Sequence, residues 1–215
     1  MKDQPSIHRI YQPLADSLYE HMKTGHPGTG KYVVIIGGES GSGKSTLADA
    51  LRNAIITRGI GATILHLDDY FLLPPKANHQ QRLTGLHHVG PQEVNLALLQ
   101  AHISAFKNGE NQIVKPWSDA ENDRFVYQTV DLSASGILIV EGTYALTLDQ
   151  GNFYVKMGRT YQETRQLRIE RARDPIDEFT EKVLEIEHRY VAPMVTRAHA
   201  VVEKNYTITY LQPIT

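Results

Sequence analysis

Apolar residues recur at helical spacing near the start of the chain, at Ile7, Ile10, Leu14, Leu18 and Met22, and this pattern predicts an amphipathic N-terminal helix. Pro13 is expected to begin a fresh first turn, the helical position that tolerates it. Residues 25–30, GHPGTG, read as a loop. Beyond it, short β-branched runs alternate with helical periods: a strand at 32–36, a helix at 45–58 stopped by Gly59, and a strand at 63–67. Leu96, Leu99, Ile103 and Phe106 share one face of a helix expected from Pro91 to about Lys107, with Asn108-Gly109 as its stop. Strands follow at 137–140 and 153–155. Thr160 and Glu163 have capping-box spacing and open a helix that carries Arg165, Arg168, Arg171 and Arg173 before Asp174-Pro175 ends it. The last helix is expected at 181–199, bent at Pro193, with one or two strands in 200–211. Such alternation argues for an α/β fold with a mostly parallel central sheet and crossover helices.

Composition narrows the function classes. The 41% hydrophobic fraction of 215 residues is enough for a buried core and excludes disorder as a description of the whole. The 22 Lys and Arg against 24 Asp and Glu supply no general basic field, so no nucleic-acid partner is expected and any phosphate must be met locally. The absence of cysteine excludes disulfides, thiolate catalysis and Cys-based metal centres. The longest aliphatic runs, 33–36 and 137–140, are far too short to span a bilayer, and a soluble cytoplasmic protein without a membrane partner is expected. No repeat or composition break divides the chain, which reads as a single domain over 1–215, with 1–24 an added helix and 159–180 a lid. The added helix is free to serve a homodimer contact or to pack on the sheet.

Chemistry enters at Gly38-Glu39-Ser40-Gly41-Ser42-Gly43-Lys44-Ser45-Thr46, which matches the phosphate-binding pattern G-x-x-x-x-G-K-[ST] between a strand and a helix. The glycines let successive N–H groups turn inward around phosphate oxygens. Lys44 can reach the β and γ phosphates and the Ser45 hydroxyl can ligate Mg²⁺. The sequence HLDDYF after the second strand puts Asp68 and Asp69 where the carboxyl ends of strands hold ligands. A carboxylate there can take the proton of an attacking hydroxyl or hold a metal through water, so Asp68 is assigned to both roles. The strand ILIVEG ends in Glu141, a metal-side acid of Walker-B type. The arginines between 159 and 173 suit a lid that neutralises a moving phosphoryl group, with Arg168 and Arg173 as the catalytic members.

Taken in order, GESGSGKST, DDYF, VEGTYAL and the arginine pattern resemble the uridine kinase and phosphoribulokinase family of P-loop kinases over about residues 30 to 205. The resemblance implies a three-layer α/β/α P-loop fold that uses ATP and Mg²⁺ to phosphorylate a hydroxyl of a small molecule. It implies Asp68 as base, Lys44 and Ser45 as phosphate and metal contacts, Glu141 as second metal-side acid, and Arg168 with Arg171 or Arg173 as lid. Asp69, Tyr70, His88, Trp117, Asp119, Arg165 and Arg171 are the expected acceptor contacts. The family's R-x-x-R-R-x-x-R-D is altered here by Ile169 and a late Arg-Asp pair. Its P-x-Y-D-F-x-x-H segment is met by Pro116 to Asp123, which keeps Asp119 but has Ser118, Ala120 and Asp123 in place of two aromatics and an imidazole. A nucleoside, a sugar, glycerate and a pantothenate-like alcohol all remain open as acceptors. A nucleotide-sensing or partner-coupled ATPase is the reading from another class.

Overall fold

The computed structural model describes residues 4–25, 30–171 and 177–211. Helix α1 (Gln4–Gly25) runs unbroken through Pro13, which lies on the exposed side where water can satisfy the carbonyl its ring leaves unpaired. The expected restart at Pro13 is therefore absent. Its buried stripe is Tyr11, Leu14, Ala15, Leu18, Tyr19 and Met22, whereas Ile10 is 41% exposed, because the large tyrosine rings turn the face away from the aliphatic spacing.

Strands β1 (Tyr32–Gly37), β2 (Gly61–His66), β5 (Ser135–Gly142), β6 (Phe153–Met157) and β7 (Ala200–Val202) form one parallel sheet, and β8 (Ile208–Tyr210) closes its edge antiparallel, in the order β2-β5-β1-β6-β7-β8. Alternate residues of the inner strands go to opposite faces. Val34, Ile36, Ile137, Ile139 and Val155 meet α1 and α2 (Lys44–Ile56). Val33, Ile35, Leu138 and Val140 meet Leu99, Ile103 and Phe106 of α4 (Leu96–Lys107). The result is a three-layer α/β/α sandwich, as expected. Among the described residues no helix is long and apolar enough to cross a membrane.

Three elements depart from the sequence pattern. The stretch from Pro91 first forms a short 3-10 turn (Pro91–Glu93), and α4 starts only at Leu96, where the Asn95 side chain accepts the Leu98 N–H at 3.0 Å. Helix α3 (Pro75–Thr84) and a separate antiparallel ribbon of β3 (Gln112–Asp119) and β4 (Arg124–Asp131) carry too little apolar periodicity to be read in advance. The last helix splits into α6 (Glu178–Val191) and a 3-10 turn (Ala192–Arg197), the break falling beside Pro193. Thr160 and Glu163 do form the reciprocal cap, Glu163 Oε2 accepting the Thr160 N–H at 3.0 Å, yet regular helix α5 (Arg165–Arg171) begins only beyond it. Arg173 and the Asp174-Pro175 stop lie outside the described residues.

Candidate active site

Parallel register gathers the chemistry on one edge of the sheet. Ile36 and His66 both pair with Glu141, so the ends of β1, β5 and β2 lie level. The glycine loop leaves this edge after Gly37, and Asp68 follows His66 by two residues in the 3-10 turn Leu67–Tyr70. Gly41 and Gly43 hold φ of 76° and 98°, the left-handed region that only glycine enters without strain. The loop is also tightly roofed. A Cβ on Gly43 would lie 2.0 Å from the Tyr11 hydroxyl, and one on Gly41 2.9 Å from Cγ of Arg168.

Lys44 Nζ donates to the Glu39 carbonyl at 3.0 Å, and Thr46 lies in the first turn of α2 behind it. The Ser45 hydroxyl donates to Glu141 Oε1 at 3.1 Å, and the same oxygen meets His66 Nδ1 at 2.7 Å. Burial pushes the Glu141 carboxyl up, but the His66 hydrogen bond, the Lys44 charge and the Ser45 hydrogen bond outweigh it and hold the group below the usual carboxylate range. The hydrogen bond to Glu141 raises His66 in turn, against its own burial. A hydroxyl beside an ionised carboxylate is a hard oxygen pair of the kind Mg²⁺ takes together with phosphate oxygens and water. Among the described residues no group of three or more His, Cys, Asp or Glu is arranged to hold a metal, so a cage of protein ligands alone is absent there.

The segment before α5 lies on the loop. Thr164 Oγ1 donates to the Ser40 carbonyl at 2.9 Å. The Glu39 carboxylate, 3% exposed, accepts the Tyr161 N–H at 2.6 Å and meets His188 Nδ1 at 2.7 Å. Ser42 Oγ is buried with no partner among the described residues. Arg168 is buried, its Nη2 donating to the Tyr161 carbonyl at 3.1 Å and to Glu181 Oε1 at 3.0 Å, while its Nε has no partner among the described residues. Arg165 approaches the same Glu181 at 3.8 Å. Arg171 ends α5.

Several of the expected acceptor contacts are engaged within the protein. Asp68 is exposed at the sheet edge, whereas Asp69 turns inward, pairs with the buried Lys115 ammonium and accepts the Ser118 N–H at 3.1 Å. Tyr70 is buried with its hydroxyl 2.9 Å from His102 Nδ1. Asp119 ties the β3–β4 turn, accepting from Asn122 Nδ2 at 2.8 Å and Arg124 Nε at 3.1 Å. Trp117 is exposed on β3 opposite Val126, and His88 is half-buried in a 3-10 turn against His87.

Residues to which the sequence assigned no site role line a cavity of about 120 Å³ beside Ser40 of the glycine loop. Its walls are His79 and Arg82 of α3 and Phe179, Thr180, Val183, Leu184 and Glu187 of α6. Arg82 grips the buried Glu93 with two hydrogen bonds, 2.6 and 2.9 Å, and reaches Glu187 Oε1 at 3.2 Å. Glu187 had one signal in the sequence: it falls between Val183 and Val191 on the core face of its helix. Arg82 had none.

The model of the family described as phosphoribulokinase / uridine kinase matches residues 33–158, from β1 to just past β6. The bifunctional α-galactosidase/sucrose kinase AgaSK of Mediterraneibacter gnavus is 27% identical over 210 residues, 90% of this chain and 22% of that protein, so the chain spans about a fifth of this relative's length. A possible uridine kinase from Bacillus stearothermophilus superposes with a TM-score of 0.65 at 22% identity, covering 88% of this chain and 97% of that one. The D-glycerate 3-kinase of Cryptococcus neoformans var. grubii superposes at 0.53 with 11% identity, covering 96% and 99%. These likenesses extend the shared fold to chains that differ in the acceptor they are named for. A glycine loop, an acidic strand end and the sheet order between them are what the family model spans here, over more than half of the sequence, and the chain belongs to the phosphoribulokinase / uridine kinase family.

Proposed function

We propose that the chain is an ATP-dependent phosphotransferase that moves the γ-phosphoryl group of ATP to a hydroxyl of a small molecule. The observation that carries this reading is the convergence of Lys44, Ser45, Glu141 and Asp68 on one edge of the sheet. An ATPase that only senses nucleotide has no use for Asp68 in the outward position beside that edge. The acceptor oxygen attacks the γ-phosphorus in line, its proton passes to Asp68, and the bond from phosphorus to the β–γ bridging oxygen breaks to leave ADP. Lys44 and the backbone N–H groups of residues 38–45 meet the phosphate charge, and Arg168, whose Cγ packs over Gly41 and whose Nε has no partner among the described residues, is the lid donor best placed to join them. Ser45 and Glu141 would hold Mg²⁺, which when bound neutralises charge on the β and γ oxygens.

The phosphate-handling half follows the uridine kinase pattern, and the acceptor is drawn from nucleosides, sugars or glycerate-type alcohols. Asp68→Asn is expected to lower acceptor-dependent ADP release by at least about a hundredfold while ATP affinity stays within about threefold. Unchanged turnover would remove Asp68 from the mechanism. ADP release that no acceptor stimulates would favour a partner-coupled ATPase instead.

A further inference from the structure

The cavity between α3 and α6 has a chemistry of its own. It touches the glycine loop at Ser40. Burial pushes the Glu187 carboxyl up while the Arg82 and Lys44 charges pull it down, and Asp68 also acts on it, so the cavity lies beside the proposed reaction centre. One wall is apolar, made by Phe179, Val183 and Leu184, with His79 set edge-on to Phe179 at a ring separation of 5.5 Å. Its polar groups are His79 and Arg82 on α3 and Thr180 and Glu187 on α6. At roughly 10–15 Å³ per water-sized occupant, 120 Å³ suits a molecule of about ten heavy atoms, close to one sugar ring.

Charge decides between ligand classes. Arg82 is the cation of this cavity among the described residues, and its guanidinium is already committed to two carboxylates, Glu93 and Glu187. Glu93 is saturated, accepting from Arg82, Asn78 Nδ2 at 3.1 Å and the Gly90 N–H at 2.8 Å. Glu187 accepts only at Oε1 among the described contacts, which leaves Oε2 able to receive a hydroxyl. Among the described lining residues, a carboxylate or phosphate on the acceptor would meet Glu187 beside a guanidinium that already pairs with two carboxylates, while neutral hydroxyls would find an acceptor. A flat pyrimidine would find only the edge-on His79–Phe179 pair in place of two stacking faces.

We infer that this cavity is the acceptor subsite and that it selects a neutral polyhydroxylated molecule, a sugar or sugar alcohol, with Glu187 as the residue that receives its hydroxyls and turns away anionic analogues. This rests on the kinase reading above. The test is ATP- and Mg²⁺-dependent ADP release by the chain with fructose, glucose and sorbitol, with gluconate and glycerate as anionic counterparts, and with uridine and cytidine. A neutral sugar or polyol is expected to exceed the anionic and nucleoside acceptors at least tenfold in kcat/KM. Glu187→Gln, which keeps the volume and the bond from Arg82, is expected to shift the sugar-to-sugar-acid ratio toward the acid by at least tenfold while KM for ATP holds. His79→Phe, away from the Arg82 network, is expected to raise the KM of the sugar severalfold, again without moving KM for ATP. A nucleoside or a carboxylate acceptor that wins, or a Glu187→Gln enzyme with an unchanged ratio, would overturn this inference and leave the kinase reading standing. ADP release with no response to any class would overturn both.

Discussion

Two neighbouring carboxylates, Asp68 and Asp69, show how strongly a single residue's setting depends on the turn that carries it. The 3-10 turn after β2 sends Asp68 outward to the sheet edge and Asp69 inward to Lys115. Removing one partner of a buried pair leaves an uncompensated charge, so Asp69→Ala is expected to lower stability by roughly 3–5 kcal/mol. For a chain of this size that is a fall in Tm on the order of 10 °C, read by thermal unfolding. An unchanged Tm with a raised acceptor KM would instead return Asp69 to the acceptor site. Gly43 makes the same point from backbone geometry. Gly43→Ala would force a side chain onto φ 98° and against the Tyr11 hydroxyl, and ATP binding is expected to weaken at least about tenfold. Adding Tyr11→Ala should recover the part due to contact and none of the part due to the backbone, which titration with ATP would separate.

Elements here are tied to one another by groups far apart in sequence. The tip of the β3–β4 ribbon presents Asp123, itself at φ 49°, to the start of α3, where its carboxylate accepts the Lys76 N–H at 2.7 Å and the Ala77 N–H at 3.2 Å. This is an N-terminal cap delivered from 47 residues away. Asp123→Ala is expected to reduce unfolding free energy by about 1 kcal/mol in denaturant titration, and Asp123→Asn, which keeps an acceptor oxygen and tolerates positive φ, to restore most of it. An equal loss in both variants would assign the effect to the carboxylate charge. Because α3 carries His79 and Arg82, the same ribbon also sets the position of the cavity wall. The position expected to hold a substrate imidazole therefore holds a helix cap, a role that no local pattern announces.

Across the whole molecule, histidine burial couples stability to pH. His102 sits under β3 on α4, 8% exposed, and burial, followed by the Lys115 charge, holds it below its ordinary value of 6.5. The folded state therefore refuses a proton that the unfolded chain accepts. Its contribution is fully present above pH 6.5 and is lost as pH falls from there toward the lowered folded value. His21 and His199, lowered by burial, act in the same direction, while His66, raised by Glu141, acts in the opposite one. His102→Gln keeps a partner for the Tyr70 hydroxyl and removes the titration. Its Tm is expected to fall less than that of the parent protein between pH 7.5 and 5.5, and identical slopes would show that His102 does not titrate in this window.

Local chemistry was legible in the sequence alone: the strands that build the parallel sheet, the glycine loop with Lys44 and Ser45, the acid at the end of β5 and the cap at Thr160. Each depends on periodicity or on groups within a few residues, which sequence spacing preserves. Tertiary structure alone decided that Asp69 turns inward to Lys115, that Arg168 pairs with Glu181, and that Arg82, Glu93 and Glu187 meet beside Ser40. Those contacts join α3 to α6 across 105 residues, and they depend on sheet register and helix packing that no window of the chain contains.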